Sequence, residues 1–290
     1  MKKGIILGVV TGASSDDDVL EAAFALSLLH ESHIEVLHPR LDPYRVLAGF
    51  IDGVNGLATS DIVTGIRQDI ERRRQTARAT FNSWTTRHRL RPVEEGTKSP
   101  EASAAWRDYE GTYEGAMTLH GRLADFIVVA QPQGQAQPGS RAAQEAVVEA
   151  AIFDTGRPVL CVPTGFRELD PKSVAILWNG SLEAARAVGD AMPLLAACGS
   201  AVVVTAGQSD GADPTDLVER LVQRGIEART KRVGTLQDIT PRALVETLNE
   251  GRFGLIVMGG YGHTRLREMV LGGLTRQMLA EAKIPVLLAH

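Results

Sequence analysis

Residues 255–275 read LIVMGGYGHTRLREMVLGGLT. Apolar residues 255–258 run up to Gly259, Gly262 follows three positions later, and Gly272 with Gly273 opens LTRQMLA, a stretch with helical spacing. A short unbroken apolar run bounded by glycine reads as a strand covered on both faces, because a half-exposed strand would alternate. Strand, glycine loop and helix together make a βα unit. Glycine admits positive φ and lets backbone N–H groups approach an anion closely. Two such ends beside a helix start can therefore form a phosphate cradle. Tight turns and helix packing account for the same glycines equally well. The loop is not a Walker A motif, since GxxxxGK[ST] is absent and no lysine lies between Gly259 and Thr275. Nor does GxGxxG follow the first strand of either half, which argues against a dinucleotide-binding dehydrogenase.

Outward from this stretch the same alternation recurs. Apolar runs at 5–10, 34–37, 126–130 and 158–162 form one series, and those at 174–178, 201–205, 225–228, 255–258 and 285–289 form a second. Helical patterns lie between them, so right-handed βαβ crossovers and mostly parallel sheets are expected. In the second series Ser181 can cap a helix with Ala184, Val188, Ala191 and Leu195 on one stripe. Asp213-Pro214 and Thr240-Pro241 each set a cap residue before a proline at the first helical position.

The two series overlay. TGASSDDDVLEAA (residues 11–23) lies beside NGSLEAA (179–185), GRPVLCV (156–162) beside AKIPVLL (282–288), and FIVVAQPQG (126–134) beside LIVMGGYGH (255–263). Both halves are thus expected to share one fold, with a boundary in the polar stretch 167–172 that divides the chain into residues 1–168 and 169–290. The first half is longer through residues 39–120, where Ile62, Ile66 and Ile70 are expected to line a helix running on to Phe81 and Trp84. Arginines 72, 73, 74, 78, 87 and 89 decorate that region and read most simply as a solvated face.

Composition agrees. At ~150 residues per domain, 290 residues suggest two domains, and 44% hydrophobic with 23% charged residues is ordinary for globular chains. With 31 Lys+Arg against 35 Asp+Glu the net charge is −4, which offers no broad cationic field for a nucleic acid. Cys161 and Cys198 sit beside apolar runs and read as reduced, buried thiols. The N-terminal apolar run meets Asp16, Asp17 and Asp18, unlike a signal peptide, and no run approaches the ~18 residues needed to span a bilayer. A cytoplasmic protein without membrane partners is expected. The histidines show no metal-ligand spacing.

The chain resembles a tandem universal stress protein, two UspA-type domains in one polypeptide. The family's nucleotide-binding pattern, G-x2-G-x9-G followed by Ser or Thr, is matched here by Gly259, Gly262 and Gly272, with Gly273 in place of the hydroxyl residue. AILWNGS resembles the family's first strand ending in Asp-Gly-Ser, and IPVLLAH resembles its last strand. The resemblance implies two α/β/α sandwich domains of the adenine nucleotide alpha-hydrolase-like type, paired through their last strands (near Val162 and Ala289) as a pseudo-dimer. It implies binding of ATP or a related adenine nucleotide, with or without Mg2+, in the second domain. Asn179 would meet the ribose or adenine side, Ala206 the adenine, Gly259 and Gly262 the ribose and phosphates, and Gly272, Gly273 and Thr275 the opposing phosphate edge. Asparagine at 179 lacks the charge of the usual acidic residue, and glycine at 273 keeps an amide but loses a hydroxyl worth roughly 1.5–3 kcal/mol to a charged ligand. His263 and Arg265 lie inside the glycine loop and are candidates to meet phosphate oxygens, Arg265 being the more durable charge, while His263 reads equally well as a loop surface residue. The first half, with Ala130, Gln131, Pro132, Gln133 and Gly134 on the matching rim and Thr11 in place of Asn179, is expected to hold a degenerate site.

Hydrolysis needs a positioned water and charge stabilisation at the transferred phosphoryl. No carboxylate cluster or general base is apparent, so a nucleotide-responsive regulator of stress is expected, with any ATPase activity slow. A nucleotide-independent stress scaffold acting through protein partners, and further assembly into homodimers, remain alternatives.

Overall fold

The computed structural model describes residues 4–44, 59–93, 103–132, 138–206, 212–234, 240–260 and 273–290. In the first half, β1 (Ile5–Val9), α1 (Asp16–His30) and β2 (His33–Leu41) precede a long helix, α2 (Thr59–Arg87). Then come β3 (Arg91–Pro92), β4 (Ser103–Gly111), α3 (Tyr113–His120), β5 (Phe126–Ala130), α4 (Pro138–Thr155) and β6 (Val159–Val162). The second half runs β7 (Ser173–Leu177), α5 (Leu182–Ala196), β8 (Ser200–Thr205), α6 (Pro214–Gln223), β9 (Ala228–Arg232), α7 (Pro241–Glu250), β10 (Leu255–Gly259), α8 (Gly273–Glu281) and β11 (Val286–Ala289).

The eleven strands among the described residues form one sheet in the order β3-β4-β2-β1-β5-β6-β11-β10-β7-β8-β9. Every neighbouring pair is parallel except β6 with β11, which run antiparallel with Val286 opposite Cys161 and Leu288 opposite Val159. The last strands of the two halves thus meet as expected, and each covers an edge of the other.

The continuous apolar runs are continuous because both faces are covered. Ile6, Val128, Leu160, Val174, Ile176, Val203, Val257 and Leu287 face α1, α2, α5 and α6. Leu7, Val129, Cys161, Ala175, Val202, Ile256 and Leu288 face α3, α4, α7 and α8. The result is a three-layer α/β/α sandwich. Among the described residues, no helix is long and apolar enough to cross a membrane.

The predicted caps close their helices: Ser181 accepts from the Ala184 N–H, Asp213 from Thr215 and Thr240 from Ala243. The stripe expected on α2 is displaced. Ile62 is exposed, while Val63, Ala77, Phe81 and Trp84 turn inward. Four arginines of this helix are held by neighbouring acids, Arg72 and Arg73 by Asp69, Arg74 by Asp108 at 3.1 Å, and Arg87 by Asp17 and Glu21 at 2.6 Å, while Arg67 donates to the Tyr44 hydroxyl at 3.1 Å. Arg78 lies over the Trp106 ring at 5.0 Å. These contacts support the solvated-face reading. The ninth strand lies further along than residues 225–228, at Ala228–Arg232. It is a sheet edge whose central residues are exposed, so no apolar pattern marks it. Strands β3 and β4 lie in the stretch read only as an insertion. Polar Arg107, Asp108 and Glu110 interrupt the apolar signal of β4, which nonetheless pairs with β2 over eight positions.

Candidate functional site

In an open parallel sheet, a crevice forms where successive connections leave a strand in opposite directions. In the second half that place lies between β7 and β10, since the chain runs from β7 to β8 and β9 on one side while β10 and β11 lie on the other. Trp178, Asn179 and Gly180 follow β7, Gly259 and Gly260 close β10, and Ala206 follows β8. The same ordering in the first half puts a crevice between β1 and β5.

Asn179 is exposed, and its Oδ1 accepts the Ser181 N–H at 3.1 Å. Gly180 adopts φ +76°, and Ser181 then caps α5. One turn thus sets both the rim residue and the helix behind it, and the Asn179 side-chain NH2 is left without a partner among the described residues. Trp178, read from the sequence only as the end of the apolar run 174–178, pins this corner: its indole N–H donates to the Ala212 carbonyl at 2.8 Å, and its backbone N–H to the Val204 carbonyl at 2.9 Å. Ala206 is half-buried and packs on the core that faces α7 and α8.

Gly259 has a packing reason of its own. A Cβ here would stand 2.5 Å from the Ala184 nitrogen and 2.7 Å from the Glu183 carbonyl carbon, both in the first turn of α5. The neighbouring Gly260 N–H is already donated to the Ala289 carbonyl at 2.8 Å. Gly273 begins α8 and is exposed, and no described residue stands within 4 Å of where a Cβ would be. It, Leu274 and Thr275 supply first-turn N–H groups that have no acceptor within the helix. Thr275 is buried. Gly262, His263, Arg265 and Gly272 lie outside the described residues.

The first-half crevice contains protein groups at the matching positions. The Thr11 and Gly12 N–H groups donate to the Asp16 carboxylate at 2.9 and 2.8 Å. Burial pushes this carboxyl up to about 7, against the opposing pull of the Thr11, Gly12 and Ala13 amides. Gly12, at φ +78°, lies against the backbone of α2, where a Cβ would come 2.5 Å from the Arg73 carbonyl oxygen. Gln144 reaches from α4 to donate to the Ser15 hydroxyl at 2.9 Å. Gln131 is the counterpart of Gly260, since its N–H donates to Val162 as that of Gly260 does to Ala289. Its side-chain amide spans the two halves, donating to the Cys161 and Ile284 carbonyls at 3.2 Å each. Among the rim residues, Gln133 and Gly134 lie outside the described residues.

No family model and no curated protein matches the sequence. Solved structures do match it. A universal stress protein from Archaeoglobus fulgidus DSM 4304 superposes with a TM-score of 0.65 over 100% of this chain and 99% of that one, at 14% identity. The fold is that of the universal stress proteins. A candidate universal stress protein from Pseudomonas aeruginosa UCBPP-PA14 gives a TM-score of 0.51 over 99% of this chain and 93% of that one, at 13% identity. The two crevices lie on either side of the β6–β11 junction, and among the described residues they differ in the groups at their rims. The first contains Asp16 and Gln144, with Gln131 turned away from it toward β6 and β11; among the described residues the second presents Asn179, Gly260 and Gly273.

Proposed function

We propose that residues 169–290 form a domain that binds ATP or a related adenine nucleotide, and that the protein acts in the cytoplasm as a nucleotide-responsive stress regulator. Residues 1–168 form a second domain whose site is degenerate. The observation that supports this reading is the asymmetry between the crevices. Where the first half directs a buried carboxylate and the Gln144 side chain inward, the second, among the described residues, leaves an unpartnered asparagine NH2, a glycine at the position of Gln131, and the N-terminal amides of α8 with nothing against Gly273. Helix N-terminal amides carry partial positive charge and suit phosphate oxygens. Asn179 would hydrogen-bond the ribose or base, Ala206 would face the adenine, and Gly259, Gly262, Gly272, Gly273 and Thr275 would border the phosphates, with His263 and Arg265 from the same loop. Any Mg2+ would be held chiefly by the phosphates, and any hydrolysis would be slow for want of a placed base.

A second reading, a nucleotide-independent scaffold acting through a protein partner, draws on the same segment. The Gly260 amide is committed to Ala289, and Gly259 is required by α5.

Gly273→Asp separates the two. The new Cβ meets nothing, and an acidic residue in the first turn of a helix stabilises it by about 0.3–1 kcal/mol. The same carboxylate would repel a phosphate at the α8 N-terminus. Calorimetric titration of nucleotide-free protein with ATP, ADP and AMP is expected to show saturable binding to the parent, weakened by roughly tenfold or more in the variant, with an unchanged or raised melting temperature. Absence of binding to all three nucleotides by folded parent protein would leave the scaffold reading standing alone.

A further inference from the structure

The two outer edges of the eleven-stranded sheet are built differently. At one end β3 has two residues, Arg91 and Pro92, and proline cannot donate to an added strand. At the other end β9 has five residues and no proline. Its pairing with β8 fixes which backbone groups point outward. Ala201 donates to the Glu227 carbonyl and Val233 donates to the Thr205 carbonyl. The residues of β9 that exchange bonds with β8 are therefore Arg229 and Lys231, in step with Glu227 and Val233, because residues of a parallel strand alternate in the side to which they bond. Ala228, Thr230 and Arg232 aim their N–H and C=O groups away from the sheet, and among the described residues no strand pairs with them.

The side chains on this edge are cationic. Arg229, Thr230, Lys231 and Arg232 are all exposed. Among the described residues, Arg229 and Lys231 have no carboxylate partner, whereas Arg72, Arg73, Arg74 and Arg87 on α2 all do. Arg232 feels Asp213 only as a nearby charge. Among the described residues this cluster of positive charge makes no direct carboxylate contact, with exposed Glu227 the nearest acid in sequence, on a chain whose net charge is −4. A second copy of β9 would bring like charges together, so the edge does not suit self-pairing. An uncharged strand gains the backbone ladder alone. An acidic strand gains the backbone ladder and the charge together.

We propose that the β9 edge is a docking site for an extended, acidic segment of a partner protein, which adds as a twelfth strand through the backbone groups of Ala228, Thr230 and Arg232 while its carboxylates meet Arg229, Lys231 and Arg232. This site is independent of the nucleotide crevice, so it stands or falls separately from it.

The test uses the full-length protein and a fluorescein-labelled peptide alternating glutamate with threonine, followed by fluorescence anisotropy and by hydrogen exchange of individual amides. Binding is expected, with slowed exchange at the Thr230 and Arg232 amides and an affinity that falls as salt rises. Thr230→Pro removes an outward donor but none of the bonds to β8, and is expected to weaken binding by roughly tenfold with little change in melting temperature. The same peptide N-methylated on alternate backbone nitrogens should lose affinity comparably, a measurement that holds even if the proline variant folds poorly. Arg229→Glu with Lys231→Glu should abolish binding. Three results would overturn the proposal: no binding of the peptide, equal binding of the N-methylated peptide, or equal binding of a single-stranded oligonucleotide. The last two would mark a surface that attracts any polyanion without pairing it as a strand.

Discussion

Trp84→Ala is expected to lower the unfolding free energy by about 3–5 kcal/mol, the cost typical of emptying a fully buried aromatic site. Trp84 lies on α2 with no exposed surface, 6.4 Å edge-on from Phe24 of α1 and 6.1 Å from Phe81 one turn earlier. Among the described residues its indole nitrogen has no hydrogen-bond partner, so the ring contributes there by packing. Trp84→Phe keeps most of that packing and removes the unpartnered N–H, and should cost less than about 1.5 kcal/mol. Urea denaturation of both variants, monitored by circular dichroism, checks the ordering. The consequence reaches the first-half crevice, because α2 also places the Arg73 backbone against Gly12. Loosening α2 should therefore speed exchange of the Gly12 amide, which donates to Asp16. A loss below about 1 kcal/mol for Trp84→Ala would mean that α2 is a solvated appendage and not a wall of this core.

The contrast between what could and could not be read from the sequence follows from the range of the forces involved. Runs such as residues 174–178 and 255–258 are legible because burial on both faces demands unbroken apolar composition. The caps at Ser181, Asp213 and Thr240 are legible because each acts on an amide two or three residues away. Strand β9 is hidden because an exposed edge imposes no apolar requirement, and β4 is hidden because Arg107 and Asp108 are paired with Glu35 and Arg74, charges far off in the chain. The candidate site divides in the same way. The Asn179-Gly180-Ser181 turn is a local matter, but the filling of the first crevice is not. Gln144 reaches Ser15 across 129 residues, and no spacing rule connects them. A glycine motif likewise cannot say whether a given glycine spares room for a ligand or for a helix. At Gly259 the nearest atoms belong to a helix.

That distinction yields the second large effect, at Gly259. Valine there places its Cβ against the Ala184 nitrogen and Glu183 carbonyl carbon of α5, backbone atoms that cannot swing aside as a side-chain tip would. Overpacking of this kind costs about 1–3 kcal/mol, with the two extra methyl groups putting valine at or above the upper figure and alanine near the lower. The first turn of α5 follows directly on the turn that holds Asn179 and Ser181. Displacing it moves the crevice wall, so nucleotide affinity should fall together with stability even if Gly259 never touches a ligand. Differential scanning calorimetry and nucleotide titration of Gly259→Ala and Gly259→Val should therefore show graded, parallel losses. In Gly273→Asp, by contrast, affinity should fall while stability holds. A Gly259→Val protein that melted like the parent and lost only nucleotide binding would show that the missing Cβ makes room for ligand and not for α5, and the packing account of that residue would have to be given up.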